Sequence, residues 1–177
     1  MIFTNNGKIV GGINFGGGET NSFVTDDVYD GALGTVSGVV RGGFGNDTFT
    51  GGKGVDRFQG DTGRDILKGG GGADHFIFAV ISDSTTSATG RDFISDFSRK
   101  QHDVLDLSEI DARDSSAIDN PFTFIGKDGF SDKEGELGYV VKQGNTIVQG
   151  DVDGDGIADF TIELRGEIKL TAQDFDM

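Results

Sequence analysis

The chain has 177 residues, of which 31 are glycine and 15 phenylalanine, with one proline, no cysteine and a formal net charge of −15. An excess of 30 acidic over 15 basic side chains disfavours nucleic acid and anionic membrane as partners, and the lack of cysteine excludes disulfide staples. No stretch approaches the roughly 18 uninterrupted apolar residues of a membrane span, so none is expected.

Residues 1–32 are rich in turn formers, with short apolar pieces at Lys8 to Val10, Ser22 to Val24, and Val28 with Tyr29. They read as irregular β segments forming a lead-in. The opening MIFTNNGKIVGG has neither the basic start nor the long apolar run of a signal peptide, so any export address is expected elsewhere.

Residues 33–86 carry an internal repeat. Four consecutive nine-residue copies run GGFGNDTFT, GGKGVDRFQ, GDTGRDILK and GGGGADHFI. Each has glycine at its first and fourth places, aspartate at the sixth (Asp47, Asp56, Asp65, Asp74) and a large apolar residue at the eighth (Phe49, Phe58, Leu67, Phe76). Glycine permits the positive φ that lets six residues curl into a tight turn, and the last three residues suffice for a short strand showing one side chain to a core. Two copies then make one coil of a flattened right-handed spiral, and turns two copies apart stack. The preceding LGTVSGVVR keeps Val40 at the strand position but has Gly38 where aspartate belongs. A flexible linker would not phase its aspartates and aromatics, and a nonapeptide of this form is a signature of calcium-binding parallel β spirals.

Stacked carboxylates repel one another and inward carbonyls need partners, so a hard cation between turns answers both needs. Calcium takes six to eight oxygens at about 2.3–2.6 Å. The period predicts that Asp47 shares an ion with Asp65, and Asp56 with Asp74. One copy on, Asp83 is in register to close a third site with Asp65, although its glycines are gone. Asp92 is in register too, but without turn glycines it carries little weight. Net negative charge opposes compaction until counter-ions bind, so the calcium-free chain is expected to be poorly folded. Scarce calcium in the cytosol and plentiful calcium outside would then make folding report the compartment.

Residues 87–177 read as a β region continuous with the spiral. Phe93, Ile94, Phe97, Val104, Leu105, Leu107 and Ile110 are core candidates, and Ser108 is placed to cap one helical turn over Glu109 to Arg113. Phe122 to Ile125 reads as a strand. Tyr139 to Lys142 and Thr146 to Gln149 flank Gln143-Gly144-Asn145, a hairpin loop, and Phe160, Ile162 and Leu164 alternate as the buried face of another strand. Asp151 to Asp159 places carboxylates at the first, third, fifth and ninth positions of an EF-hand-like loop, with Gly156 at the sixth. Ile162 stands where such a loop needs a bidentate Glu, and Asp155-Gly156 is an ordinary hairpin signal, so a plain hairpin is preferred. The ending LTAQDFDM reads as a short terminal turn.

The repeats, together with RDFISDF, HDVLDLSEIDA, FTFIG, GELGY, IVQGDVDGDGIADFTIEL and LTAQDF in that order, resemble the C-terminal domain of serralysin-type (peptidase M10) metalloproteases, within the wider RTX (repeats-in-toxin) group. The resemblance spans roughly residues 33–177. It implies an all-β fold, a right-handed parallel β-roll with an antiparallel β-rich C-terminal cap, and Ca2+ as cofactor. It also implies ligand sets. Gly43, Gly45 and Asp47 would meet Gly60, Thr62 and Asp65; Gly52, Gly54 and Asp56 would meet Gly69, Gly71 and Asp74. In a third set Asp61, Gly63 and Asp65 would meet Phe78, Val80 and Asp83, with Asp61 contributing only its carbonyl in place of the usual glycine.

Functionally the resemblance implies a calcium-induced folding module at the C-terminal end of a larger extracellular protein. Such modules accompany export from Gram-negative bacteria through an ABC-type (type I) exporter, without an N-terminal signal peptide, behind an upstream catalytic domain. The alternative is a complete small extracellular protein that binds or adheres in a calcium-dependent way. The tail departs from the family: Asp174-Phe175-Asp176-Met177 puts a charge where exporters commonly read apolar residues. No HExxH motif, GxSxG motif, cysteine nucleophile or phosphate loop occurs, so no catalysis is expected. The glycine run Gly69 to Gly72 lacks the amphipathic helix of a dinucleotide fingerprint. His75, in a variable seventh place, and His102, in a polar stretch, read as surface residues, because no cluster of zinc ligands is evident around either.

Overall fold

The apolar eighth place of each copy is where the architecture begins. The computed structural model describes residues 1–16, 24–113 and 120–177. Phe49, Phe58, Leu67 and Phe76 are all fully buried in it. They alternate between two sheets. Thr48–Thr50 pairs in parallel with Ile66–Lys68, setting Phe49 opposite Leu67. Arg57–Thr62 pairs in parallel with His75–Ile77, setting Phe58 opposite Phe76. One side chain per strand enters the space between the sheets, as the two-residue period of a strand requires.

The larger sheet has nine strands, ordered Ile2–Thr4, Val28–Asp30, Thr48–Thr50, Ile66–Lys68, Phe93–Ile94, Phe160–Leu164, Asn145–Asp151, Glu136–Lys142 and Thr123–Gly126. The first six are joined by parallel pairings, and Asn145–Asp151 is antiparallel to both its neighbours. The second sheet has six strands: Phe175–Asp176, Val104–Asp106, His75–Ile77, Arg57–Thr62, Val40–Phe44 and Ile13–Asn14. A small parallel pair, Lys8–Ile9 with Thr35–Val36, completes the lead-in. The result is the parallel β-roll expected from the repeats, with the antiparallel β-rich cap that the resemblance implies.

Two apolar columns run through the roll. Tyr29, Phe49, Leu67, Ile94 and Leu164 line up on the larger sheet; Val40, Phe58, Phe76, Leu105 and Phe175 line up on the smaller. Rings interlock across the gap, with Phe49 edge-on to Phe58 at 5.5 Å and Tyr29 edge-on to Phe58 at 6.0 Å. Such pairs are worth about 0.5–1.5 kcal/mol each beyond the area they bury.

The stack is longer than the glycine-rich copies. At its start, Ile2–Thr4, Ile13–Asn14 and Val28–Asp30 are strands of the two sheets, so most of the described lead-in already belongs to the roll. The piece Ser22 to Val24 lies largely outside the described residues. Beyond residue 86, Phe93–Ile94 and Val104–Asp106 add a further layer to each sheet. A strand joins the column if it offers one apolar side chain and free backbone, and neither demand requires the glycine turn.

Two local expectations differ and a third is extended. The hairpin loop is two residues, Gln143 and Gly144, both at positive φ, and Asn145 already pairs with Lys142. Over Leu107 to Arg113 there is a single turn, Ile110 N–H to Leu107 carbonyl, and no helix: Ser108 donates to Asp106 Oδ1 at 2.7 Å and so serves the preceding strand. The tail forms a 3-10 turn at Ala172–Asp174 and then a true strand, Phe175–Asp176.

Candidate metal centre

Where each turn ends, an aspartate is buried under the next turn. Its Oδ1 accepts the backbone N–H of the aspartate one coil earlier. Asp47 N donates to Asp65 Oδ1 at 2.7 Å and Asp56 N to Asp74 Oδ1 at 2.8 Å, each a step of 18 residues. These are the two pairings that the period predicts. The ladders continue past the glycine-rich copies. On one edge Asp27 N donates to Asp47 Oδ1 and Asp65 N to Asp92 Oδ1, with steps of 20 and 27 residues. On the other, Asp74 N donates to Asp103 Oδ1 at 3.1 Å, a step of 29.

The second carboxylate oxygen is the informative one. Among the described residues, seven buried side-chain polar atoms have no hydrogen-bond partner within the protein, and four are Oδ2 of Asp47, Asp65, Asp74 and Asp92. Burial pushes the carboxyls of Asp47 and Asp74 up to about 6, against the pull of the amide each accepts, and neighbouring carboxylates add to the rise. Burial raises Asp65 and Asp92 as well, and the two repel each other. A buried carboxylate edge with no donor calls for a cation.

Backbone oxygens converge on the same places. A β-carbon on Gly42 would collide with the Asp47 carboxylate and meet the Gly60 carbonyl at 2.6 Å. One on Gly51 would meet Asp56 Oδ2 at 2.5 Å and collide with the Gly69 carbonyl. The first-place carbonyl of one turn thus lies beside the aspartate of the turn before it, an all-oxygen donor set suited to calcium. Other carbonyls of the expected sets are already engaged: Thr62 accepts from Gly45 N at 3.1 Å and Gly52 from Gly71 N at 2.9 Å. Each retains a second lone pair. Gly63 stands at φ +143, and a β-carbon there would collide with the Gly45 carbonyl, so the coils stack at van der Waals distance.

At the third expected set the turn is built differently from the glycine-rich ones. Asp83 ends a 3-10 turn, Ile81–Asp83, and its Oδ2 accepts Ala79 N and Val80 N at 2.8 and 3.1 Å. The Val80 carbonyl accepts Asp83 N, and Phe78 N donates across to the Asp106 carbonyl. Asp83 lies within electrostatic reach of Asp61 and Asp65, and burial raises its own carboxyl. The rung against Asp65 belongs to Asp92. Asp61, at φ 62, takes the glycine-like conformation, and Gln59 Nε2 donates to its half-buried carboxylate at 2.7 Å.

A pattern built on spacing and glycines misses Asp27 and Asp103 and discounts Asp92. A different signal is present in the sequence. Asp27-Val28-Tyr29, Asp92-Phe93-Ile94 and Asp103-Val104-Leu105 all keep an apolar residue two places after the aspartate, like Asp47-Thr48-Phe49, whereas Asp83-Ser84-Thr85 does not. Two further clusters lie outside the ladders. Asp151, Asp153 and Asp159 bring carboxylate oxygens within 4.8 Å of one another, but the loop's own amides at Gly154 and Gly156 take both Asp151 oxygens. That loop is wider than the hairpin expected of Asp155-Gly156. His75, Asp106 and Asp176 form the other cluster, a grouping around His75 that the linear spacing does not reveal.

A family model, Peptidase M10 serralysin C terminal, matches residues 15–177. The chain belongs to that family. Among solved structures, the AlgE6R2 subunit of the Azotobacter vinelandii mannuronan C5-epimerase is 30% identical, with 94% of this chain and 90% of that one covered and a TM-score of 0.59. The AlgE6R3 subunit of the same enzyme is 23% identical over 94% and 78% of the two chains, with a TM-score of 0.40. Comparison with curated proteins found no match. Membership of the serralysin C-terminal family and the ladder geometry agree on one assignment: an RTX repeat module, of a family that generally binds Ca2+, with clustered aspartates at its turns.

Proposed function

We propose that this chain is a non-catalytic, calcium-induced folding module of an exported protein, positioned behind an upstream domain and released folded outside the cell. The observation that carries the reading is the set of buried Oδ2 atoms on Asp47, Asp65, Asp74 and Asp92, each lacking a donor. Asp47, Asp56, Asp65 and Asp74, with the carbonyls of Gly43, Gly45, Gly52, Gly54, Gly60, Thr62, Gly69 and Gly71, would hold the ions; Asp61, Gly63 and Asp65 with Phe78, Val80 and Asp83 would supply a third site. Bound calcium supplies charge neutralisation between coils. Without it, repulsion between rungs and the burial cost of each carboxylate oppose closure of the roll. The protein's part is to align the rungs through the Oδ1-to-amide bonds.

An unfolded chain suits passage through a type I exporter, and extracellular calcium would then drive folding. Among the described residues no helix is long and apolar enough to cross a membrane. The test joins two measurements. Circular dichroism during calcium titration of the isolated chain should report gain of β structure. A passenger fused ahead of the chain should be exported by cells carrying a type I exporter and retained by cells lacking it. Export equal in both would overturn the export role while leaving the folding role standing.

Likeness to an epimerase subunit favours a second reading, a calcium-dependent polysaccharide-binding module. A net charge of −15 repels a polyuronate, so attachment would need bridging calcium or a neutral glycan. Affinity electrophoresis through gels containing mannuronan, neutral glucan or no polymer separates these; unretarded migration in both polymer gels rejects this reading.

A further inference from the structure

His75, Asp106 and Asp176 stand on three neighbouring strands of the six-stranded sheet. Register sets His75 opposite Val104, Ile77 opposite Asp106, and Asp106 opposite Asp176. Phe76, Leu105 and Phe175 fill the interior from these strands, so the residues on either side of them share the outer face. There the imidazole and the two carboxylates bring one ligand atom each to within 4.8 Å of one another.

The imidazole nitrogen that faces Asp176 is His75 Nδ1. It is shielded from solvent and has no hydrogen-bond partner among the described residues. Its separation from Asp176 Oδ2 is 4.0 Å, too long for a hydrogen bond. Two donors sharing a transition-metal ion at about 2.0–2.2 Å each are at most about 4.4 Å apart, so the distance suits ligands on a common ion. Ser108 donates its N–H and Oγ to Asp106 Oδ1, which orients that carboxylate, as supporting hydrogen bonds do around metal ligands.

We propose that His75, Asp106 and Asp176 form a transition-metal site, of zinc type, distinct from the calcium ladders. An imidazole with two carboxylates and a water suits zinc, cobalt or nickel, whereas calcium selects all-oxygen sets. The site would clamp the C-terminal strand Phe175–Asp176, which lies at the sheet edge beside Val104–Asp106, to the body of the roll. It also gives the charged residue in the tail a purpose: Asp176 is a ligand supplied by the last strand. The ion would be structural.

The calcium-loaded full chain is the material for the test. It should take up one zinc, or one cobalt with d–d absorption of a nitrogen- and oxygen-ligated ion, measured in excess calcium and magnesium. His75→Gln and Asp176→Asn should each weaken that binding at least tenfold while leaving calcium-dependent dichroism unchanged; His102→Gln should leave it intact. Zinc should also slow hydrogen exchange of the Phe175 amide. No uptake beyond the calcium sites, or uptake undiminished in His75→Gln, overturns the proposal. His75 occupies a variable place in its repeat, so that variant remains decisive if the Asp176 substitution perturbs the fold.

Discussion

Asp65 Oδ1 accepts the backbone N–H of Asp47 at 2.7 Å, and Asp65 Oδ2, equally buried, accepts nothing within the protein. One carboxylate therefore does two jobs: one oxygen sets the register of adjacent coils, and the other presents a negative edge to the space between them. Asp65 is also the rung that meets Asp92 and lies within reach of Asp61 and Asp83. Asp65→Asn keeps the register contact but removes the charge. It should lower apparent calcium affinity by about tenfold or more and reduce the bound ions per chain, read by equilibrium dialysis; Asp30→Asn, at an exposed strand end, should change neither.

Asp92 and Asp83 compete for the place after Asp65, and the hydrogen bond goes to Asp92. Asp92→Asn is expected to reduce calcium binding on that edge as strongly as Asp47→Asn does. Isothermal titration of the two variants side by side checks this, and an Asp92 variant indistinguishable from the parent would return the rung to Asp83.

Chelation should unfold the roll, because it removes the counter-charge of the rung carboxylates. Magnesium should restore little of the β signal at concentrations where calcium restores all of it, since it demands near-octahedral geometry and gives up its waters reluctantly. Dichroism after chelation and re-addition of each ion provides the comparison.

The pH response comes from the same carboxyls. Burial first, then neighbouring charge, holds Asp47 and Asp74 at about 6 in the ion-free fold, above the ordinary carboxylate value near 3.8. A folded-state value above the unfolded one means the folded form binds more protons in that window. The ion-free roll should therefore be most stable below about pH 4 and lose that contribution as pH rises through about 6. With calcium present the trend reverses, because protons then compete with the ion. The β signal in circular dichroism at pH 4.5 and 7.5, with chelator and with calcium, tests both signs.

Phe58 touches Tyr29, Phe49 and Phe76 and is fully buried. Phe58→Ala should cost about 3–5 kcal/mol in the calcium-loaded protein, by lost transfer energy and a residual cavity. Phe44→Ala, at a side chain 53% exposed, should cost far less. Urea denaturation in saturating calcium gives both values.

Periodicity alone was enough to reach the roll, its core residues and the pairs Asp47–Asp65 and Asp56–Asp74. Those features depend on local turn geometry and a fixed step, and both are written in consecutive residues. The two-residue turn at Gln143-Gly144, the rung at Asp92 and the continuation through Asp27 and Asp103 were decided by stacking in three dimensions. A coil can lengthen from 18 to 29 residues and still return its aspartate to the column. Excess chain loops out at the edge, where length costs little, while the next strand is held by its apolar side chain and its backbone bonds. For the same reason, only the folded sheet could bring His75 beside Asp106 and Asp176.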